Sequence, residues 1–377
     1  MQDLKQIKGL DTLRAFAVIL VLIGHLGPYY SKSEAIGYFI KSIILPDATF
    51  GVYLFFVLSV FLITSILLNA RIESNDINRI SIVKNFFMRR ALRIFPIYYL
   101  LIFILYFMFD DIKGHLGYLL TYTVNMYLFK VDSWVASSAT HTWTLSVEEQ
   151  FYLIWPWIVL YVNRRYLKYI FIIAVIFGAV STYLTLKIKM APWLTINCMD
   201  GFGIGGFYAY ARLDSERCRV FEKNIKRLIP FVFIPYFFWR ASVYTNNQFG
   251  ISFRRFVYSI INVWLIVLVV NNRSELLRRY LLENRILNYI GKISYGIYLY
   301  HAYIYRLNPW MYNILNQRFG HYPIIHDALI SASALYIYDL IILYCLCWLS
   351  FNFIEKPILH LKRFFDYSTN KQIKPHA

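Results

Sequence analysis

Apolar runs of about twenty residues recur along the whole of this 377-residue chain, and a run of that length has few folded fates. A bilayer core of about 30 Å is crossed by roughly 20 mostly apolar residues as a helix, because every backbone N–H and C=O must be satisfied within the segment. Ten such segments are predicted, at 12–30, 50–69, 92–110, 146–163, 167–186, 193–211, 228–244, 255–271, 291–307 and 328–354. The seventh is interrupted by Pro230 and Pro235, and the ninth is crowded with polar residues. The expected fold class is all-α: a polytopic membrane helical bundle of about ten transmembrane helices.

Basic residues orient the bundle. Cytoplasmic loops retain Lys and Arg, and when the flanks of the ten spans are taken alternately, 28 of the 39 Lys and Arg fall on the side that holds the N-terminus. Both termini are therefore expected in the cytoplasm. The net charge of +18 raises nucleic acid as a partner, but the charge belongs to loops between apolar runs. Anionic lipid of the bilayer is the expected counter-charge, and no nucleic acid is expected. With 59% hydrophobic and only 16% charged residues, the chain is excluded from the disordered, collagen-like and disulfide-scaffold classes. Cys198, Cys218, Cys345 and Cys347 show neither metal-ligand nor disulfide spacing and read as small core residues, so no metal is expected. Lys5, Lys8 and Arg14 precede the apolar stretch 15–23 as in a signal peptide, yet no small-x-small cleavage site follows, which predicts an uncleaved first span. A single transmembrane domain is expected over 1–365, with a short cytoplasmic tail at 366–377.

Ionisable residues within spans are the candidates for chemistry, since a membrane helix tolerates them only toward a cavity or a partner. Arg14 and His25 are eleven residues apart. At about 100° per residue they share one helix face, separated by roughly 16 Å along the axis. An anchor arginine with a histidine satisfied by a carbonyl is the structural alternative. The segment His141-Thr-Trp143-Thr-Leu-Ser146-Val-Glu148-Glu149-Gln-Phe-Tyr152 opens the fourth span from outside. Ser146 and Glu149 have capping-box spacing. Glu148 points about 100° away, with Tyr152 and Trp155 continuing its face, and two roles stay open for it: packing, or holding the His25 imidazole in its proton-accepting tautomer. Arg89, Arg90 and Arg93 form an inner loop before the third span, with Arg90 and Arg93 spaced for one helix face. They serve either topology or bidentate phosphate contacts. His301 lies near the middle of the ninth span, lining a cavity or bonding a neighbour. Asp200 and Asp339 are apolar-flanked acids, with Arg240 or Arg306 as possible partners.

In order and spacing these elements resemble the acyltransferase-3 family of integral membrane acyltransferases. The resemblance covers nearly the whole chain. It is carried by Gly9-Leu-Asp-Thr-Leu-Arg14 with His25, Gly51-Val-Tyr-Leu-Phe-Phe-Val-Leu-Ser59, Arg90-x-x-Arg93-Ile-x-Pro96 and Trp143-Thr-Leu-Ser-Val-Glu148-Glu-Gln-Phe-Tyr152. Asp200 with Gly205-Gly206, Ile293-Ser-Tyr-Gly-Ile-Tyr-Leu-Tyr-His301 and Phe353-Ile-Glu355-Lys-Pro357 extend it. One departure is Val60, where the family usually has glycine; it implies looser packing of the second span. The resemblance implies a bacterial inner-membrane or plasma-membrane O-acyltransferase that moves an acyl group, usually from acetyl-CoA, to a hydroxyl of a cell-surface glycan or its lipid-linked precursor. It also implies the roles. Arg14, Arg89, Arg90 and Arg93 would hold the acyl-CoA, while His25, with Glu148 and Arg14, would perform catalysis. Trp143, Glu149, Tyr152 and His301 would meet the acceptor. A transporter, or a relay of acyl groups to a separate transferase, is the alternative.

Overall fold

The computed structural model describes residues 9–30, 47–74, 78–135, 138–241, 248–272, 274–304, 308–319, 321 and 332–367, and among them the fold is helical with no strand. Lys5, Lys8, Arg306, residues 328–331 and most of the expected tail lie outside these residues. The principal helices are α1 (Leu10–Tyr30), α2 (Ala48–Glu73), α3 (Arg79–Met108), α4 (Trp143–Tyr161), α5 (Arg164–Leu184) and α6 (Met199–Ala211). They continue as α7 (Ser215–Ala241), α8 (Gln248–Val270), α9 (Arg285–Lys292), α10 (Ser294–Ile304), α11 (Asn308–Phe319) and α12 (Ala332–Ser350). Each of the ten predicted segments overlaps at least one of these helices. Among the described residues, four helices are long and apolar enough to cross a membrane: α2, α3, α5 and the continuous stretch Ala334–Phe364 that begins in α12. A fifth results if Arg254–Val270 and Glu275–Leu282, bent by 101°, count as one span.

Where boundaries differ from the sequence reading, length explains why. α6 and α10 have 13 and 11 residues, so they rise only about 20 and 17 Å, less than the segments expected at 193–211 and 291–307. α3 starts at Arg79, so Arg89–Arg93 is the middle of a 30-residue helix and not a loop. α4 starts at Trp143, immediately after the 3₁₀ turn Thr140–Thr142. That extra turn moves Ser146 into the helix body, and the predicted capping box does not form: Ser146 Oγ and Glu149 Oε1 both lack hydrogen-bond partners.

α2 is the centre of the bundle, packed by α1, α3, α4, α6 and α8. Its apolar residues point in every direction, as suits a helix surrounded by others, and Val60 is fully buried among them. α6 reaches α2 closely because Gly205 has no side chain: a Cβ there would stand 2.6 Å from the Val57 carbonyl oxygen. Small residues at such crossings are the ordinary means of bringing membrane helices together. Three further bonds tie α2 to α4 and the residue that follows it. Arg71 donates to the carbonyls of Val159 and Val162 at 2.8 and 2.7 Å, and Trp155 Nε1 donates to Thr64 Oγ1 at 2.8 Å. Outside the core, Phe107, Leu184 and Phe231 are 69%, 75% and 74% exposed. An exterior of this kind belongs against lipid rather than water, and the chain is a membrane protein. Of the cysteines, Cys198 and Cys347 are buried as expected, but Cys218 is only partly covered and Cys345 is exposed on the lipid-facing side of α12.

Candidate active site

Five helices converge on a cavity of about 100 Å³. α1 supplies Arg14; α2 supplies Phe55, Phe56 and Ser59; α3 supplies Arg90 and Arg93; α4 supplies Thr144, Glu148 and Tyr152; α10 supplies Ser294, Tyr295 and Tyr298. The sequence places charge here by helix register. Arg90 and Arg93 are three residues apart and so face the same side of α3. Glu148 and Tyr152, four apart, do the same on α4, where the Tyr152 hydroxyl donates to Glu148 Oε2 at 2.8 Å. Ser59 Oγ lies 2.7 Å from the same hydroxyl, and because Tyr152 donates to the carboxylate, Ser59 is the donor of that second bond. The Arg90 guanidinium stacks over the Tyr152 ring at 5.1 Å and over Phe86 at 5.8 Å. Arg14 pairs with Asp11 one turn away on α1. α1 is held close by α9, where a Cβ on Gly291 would lie 1.9 Å from the Asp11 carbonyl oxygen.

Positive charge dominates the site. Arg93 is within electrostatic reach of Arg14 and Arg90, and Lys362 is within reach of all three and of Arg89. Glu148, Asp11 and Glu355 are the acids that act on these cations. Lys362 was not singled out in the sequence, because it follows the last span in what reads as a tail. Arg89, expected beside Arg90 as an anion ligand, is engaged otherwise. It donates to the carbonyls of Lys362 and Phe365 at 3.0 and 3.1 Å and lies over the Tyr367 ring at 5.2 Å, tying down the C-terminal segment.

His25 is elsewhere. It is not among the residues lining the cavity, and its ring is stacked on His301 with centroids 5.1 Å apart and planes at 23°. His25 Nδ1 lies 3.1 Å from His301 Nε2. The expected contact between Glu148 and His25 is not made: Glu148 is bound to Tyr152, and His301 takes the position opposite the imidazole. His301 is almost completely buried, while His25 keeps an exposed face. A third imidazole, His141, stands edge-on to His301 at 5.4 Å, with its Nε2 3.1 Å from the Leu299 carbonyl. In the sequence His141 stands out only as the first residue of the Trp143 segment. Tyr298 adjoins both regions: it lines the cavity, and its ring centroid is 5.7 Å from that of His301. Its hydroxyl donates to the His141 carbonyl and accepts from Thr144 Oγ1.

The remaining expected site residues are placed as follows. Trp143 is buried against Phe56 and Trp193, with centroids at 6.3 and 4.5 Å, and does not line the cavity. Glu149 is likewise outside the cavity lining, beside Glu148. Asp200 accepts from Ser259 Oγ at 2.9 Å, and Arg255 of α8 acts on it electrostatically; of the expected partners, Arg306 and the side chain of Arg240 lie outside the described residues.

The described residues thus form a helical membrane bundle that encloses a cation-lined cavity, with one imidazole, His25, on the helix that carries Arg14 and its partner, His301, on α10. Residues 7–349 match the family described as an acyltransferase domain, and the chain belongs to that acyltransferase-3 family. It is 30% identical over 386 residues to "Putative peptidoglycan O-acetyltransferase YrhL" of Bacillus subtilis (strain 168), covering 95% of this chain and 55% of the relative. It is 28% identical over 389 residues to "Peptidoglycan O-acetyltransferase OatA" of Listeria monocytogenes serovar 1/2a, covering 94% of this chain and 56% of that protein. The chain thus spans about half the length of these curated relatives. No solved structure matches it.

Proposed function

We propose that the chain is a multi-pass O-acyltransferase of a bacterial cell membrane, about ten spans with both termini cytoplasmic, which moves an acetyl group from acetyl-CoA to a hydroxyl of a cell-surface glycan or its lipid-linked precursor. Its transmembrane domain is taken as 1–365. The relatives' names direct the acceptor toward peptidoglycan. The observation that carries the proposal is the cavity in which Arg14, Arg90 and Arg93 meet with Lys362 close by. A concentration of cations in an apolar bundle is costly unless an anion joins it, and the phosphates of acyl-CoA supply that anion, with Arg forks suited to bidentate contact. Arg14 lies on the inner side by the distribution of positive charge, so the donor enters from the cytoplasm.

His25 is the general base of this scheme. The acceptor oxygen attacks the thioester carbonyl, and His25 takes the hydroxyl proton as the C–O bond forms. The C–S bond then breaks, and CoA leaves as thiolate and recovers the proton. The acyl arm passes Tyr298, which lines the cavity and adjoins His301. Glu148 acts in the cavity, restraining Tyr152 and offsetting the arginines, and not on the imidazole. The test is ester analysis. Membranes carrying the chain, given radiolabelled acetyl-CoA and base-stripped wall glycan, should place label in a form released by mild alkali. Label that stays with CoA in the presence of active protein overturns the proposal.

A further inference from the structure

We infer that His301 is the positioning residue of the catalytic base: it fixes the neutral tautomer of His25 by accepting the His25 Nδ1–H, leaving Nε2 as the proton acceptor. The inference rests on the reading of His25 as general base. It follows from which atoms are able to donate. His301 Nδ1 lies 2.5 Å from the Tyr298 carbonyl oxygen, which has only lone pairs, so Nδ1 carries the proton. In the neutral ring Nε2 is then an acceptor. His25 Nδ1, 3.1 Å from that nitrogen, must be the N–H of the pair. The lone pair of His25 consequently resides on Nε2. One peptide carbonyl thus specifies, through two imidazoles, the nitrogen on which the base works, the task a carboxylate performs in hydrolase triads.

The surroundings support this assignment. His301 is 1% exposed and has no route to exchange partners with water. His141 turns its Nε2 onto the Leu299 carbonyl, so that nitrogen carries a proton, and its ring stands edge-on against His301. The three imidazoles do not form a metal site, since nitrogens of two of them are committed to carbonyls, and no metal-binding group occurs among the described residues. The hydroxyl of Tyr298 is held by Thr144 and the His141 carbonyl, which keeps the controlling carbonyl's helix turn in place.

The test compares side chains that can accept at this position with one that cannot. In membranes carrying the full chain, with radiolabelled acetyl-CoA and base-stripped wall glycan, His301→Met should lower kcat about 10- to 100-fold, in line with the loss of an orienting partner, with KM for acetyl-CoA unchanged. His301→Gln, whose Oε1 accepts a hydrogen bond, should recover most of the rate. Equal loss in both variants, or a KM effect as large as the kcat effect, overturns the proposal in favour of a packing role. A second measurement does not depend on turnover: ¹⁵N spectra of the imidazole-labelled chain in bilayers, with His25 identified by its loss in His25→Ala. Nε2 of His25 should be the unprotonated nitrogen in the wild type, and the proton should redistribute toward Nε2 in His301→Met. A wild-type His25 protonated at Nε2 overturns the inference. An active His25→Ala overturns the general-base reading itself, whatever the tautomer.

Discussion

The cation-lined cavity and the histidine cluster meet at Tyr298, yet they are built on opposite principles. In the cavity, like charges from α1, α3 and the C-terminal segment are pressed together, and their balance is supplied by side chains: Asp11 for Arg14, Glu148 and the Tyr152 ring for Arg90. Around His25, among the described residues, no ionised partner is in contact, and His301 and His141 turn ring nitrogens to the carbonyls of Tyr298 and Leu299. The difference teaches where each region tolerates change. A cavity that gathers charge is prepared for an anion and should show its defects as weakened donor binding. A neutral imidazole chain is prepared for proton transfer and should show its defects as lost rate.

The sharpest way to break that division is His25→Ala. A general base contributes about 10²–10⁴-fold, so ester formation on the glycan should fall by that factor while membrane insertion and acetyl-CoA binding stay as in the wild type. Equilibrium binding of acetyl-CoA to membranes, measured beside turnover, checks both halves. A large loss of binding would mean that the two regions are not separate in function.

Arg93→Ala should do the reverse. Removing a charge-assisted hydrogen bond costs about 1.5–3 kcal/mol, which corresponds to roughly a 10- to 100-fold rise in KM for acetyl-CoA, with kcat near its original value. Phosphate-free pantetheine thioester should lose this dependence, so that wild type and variant use it equally. An unchanged KM would leave Arg93 with a topological role alone.

How much of this arrangement was legible beforehand depended on how local each feature is. The shared face of Arg14 and His25, and the pairing of Arg90 with Arg93, follow from helical periodicity and needed nothing else. Both Arg14 and His25 do turn toward α10, one through the cavity it shares with Ser294 and the other through His301. The partner of His25 was not legible, since His301 is 276 positions away and the nitrogen that bonds is decided by a backbone carbonyl. For Glu148 the sequence leaves packing and a contact with His25 both open, and side-chain reach on α4 takes it to Tyr152. The capping box failed because a 3₁₀ turn upstream carried the helix start past Ser146. Lys362 belongs to a segment whose docking against α3 no periodicity announces.

Gly291→Ala tests the frame that holds the cavity. Its added methyl would stand 1.9 Å from the Asp11 carbonyl oxygen, so α9 must retreat from α1. Overpacking of this kind costs about 1–3 kcal/mol. The unfolding midpoint in detergent should fall, and KM for acetyl-CoA should rise several-fold as Arg14 shifts, by less than in Arg93→Ala. A stable variant with unchanged KM would show that the position of α1 is set by α2 and not by α9.

The smallest effect on transfer should come from Arg89→Ala, and it separates two neighbours that sequence alone treats alike. Arg89 is one residue from Arg90, but its guanidinium serves the carbonyls of Lys362 and Phe365 and the Tyr367 ring. Its loss should free the C-terminal segment, which limited proteolysis would detect as faster cleavage after residue 356. KM for acetyl-CoA should change by no more than about twofold, far from the 10- to 100-fold of a lost charge-assisted phosphate contact. What change there is would come through Lys362, whose backbone Arg89 holds and whose ammonium faces Arg90 and Arg93. A KM increase as large as that of Arg93→Ala would place Arg89 on the donor's phosphates after all and require the guanidinium to leave its carbonyls when acetyl-CoA binds.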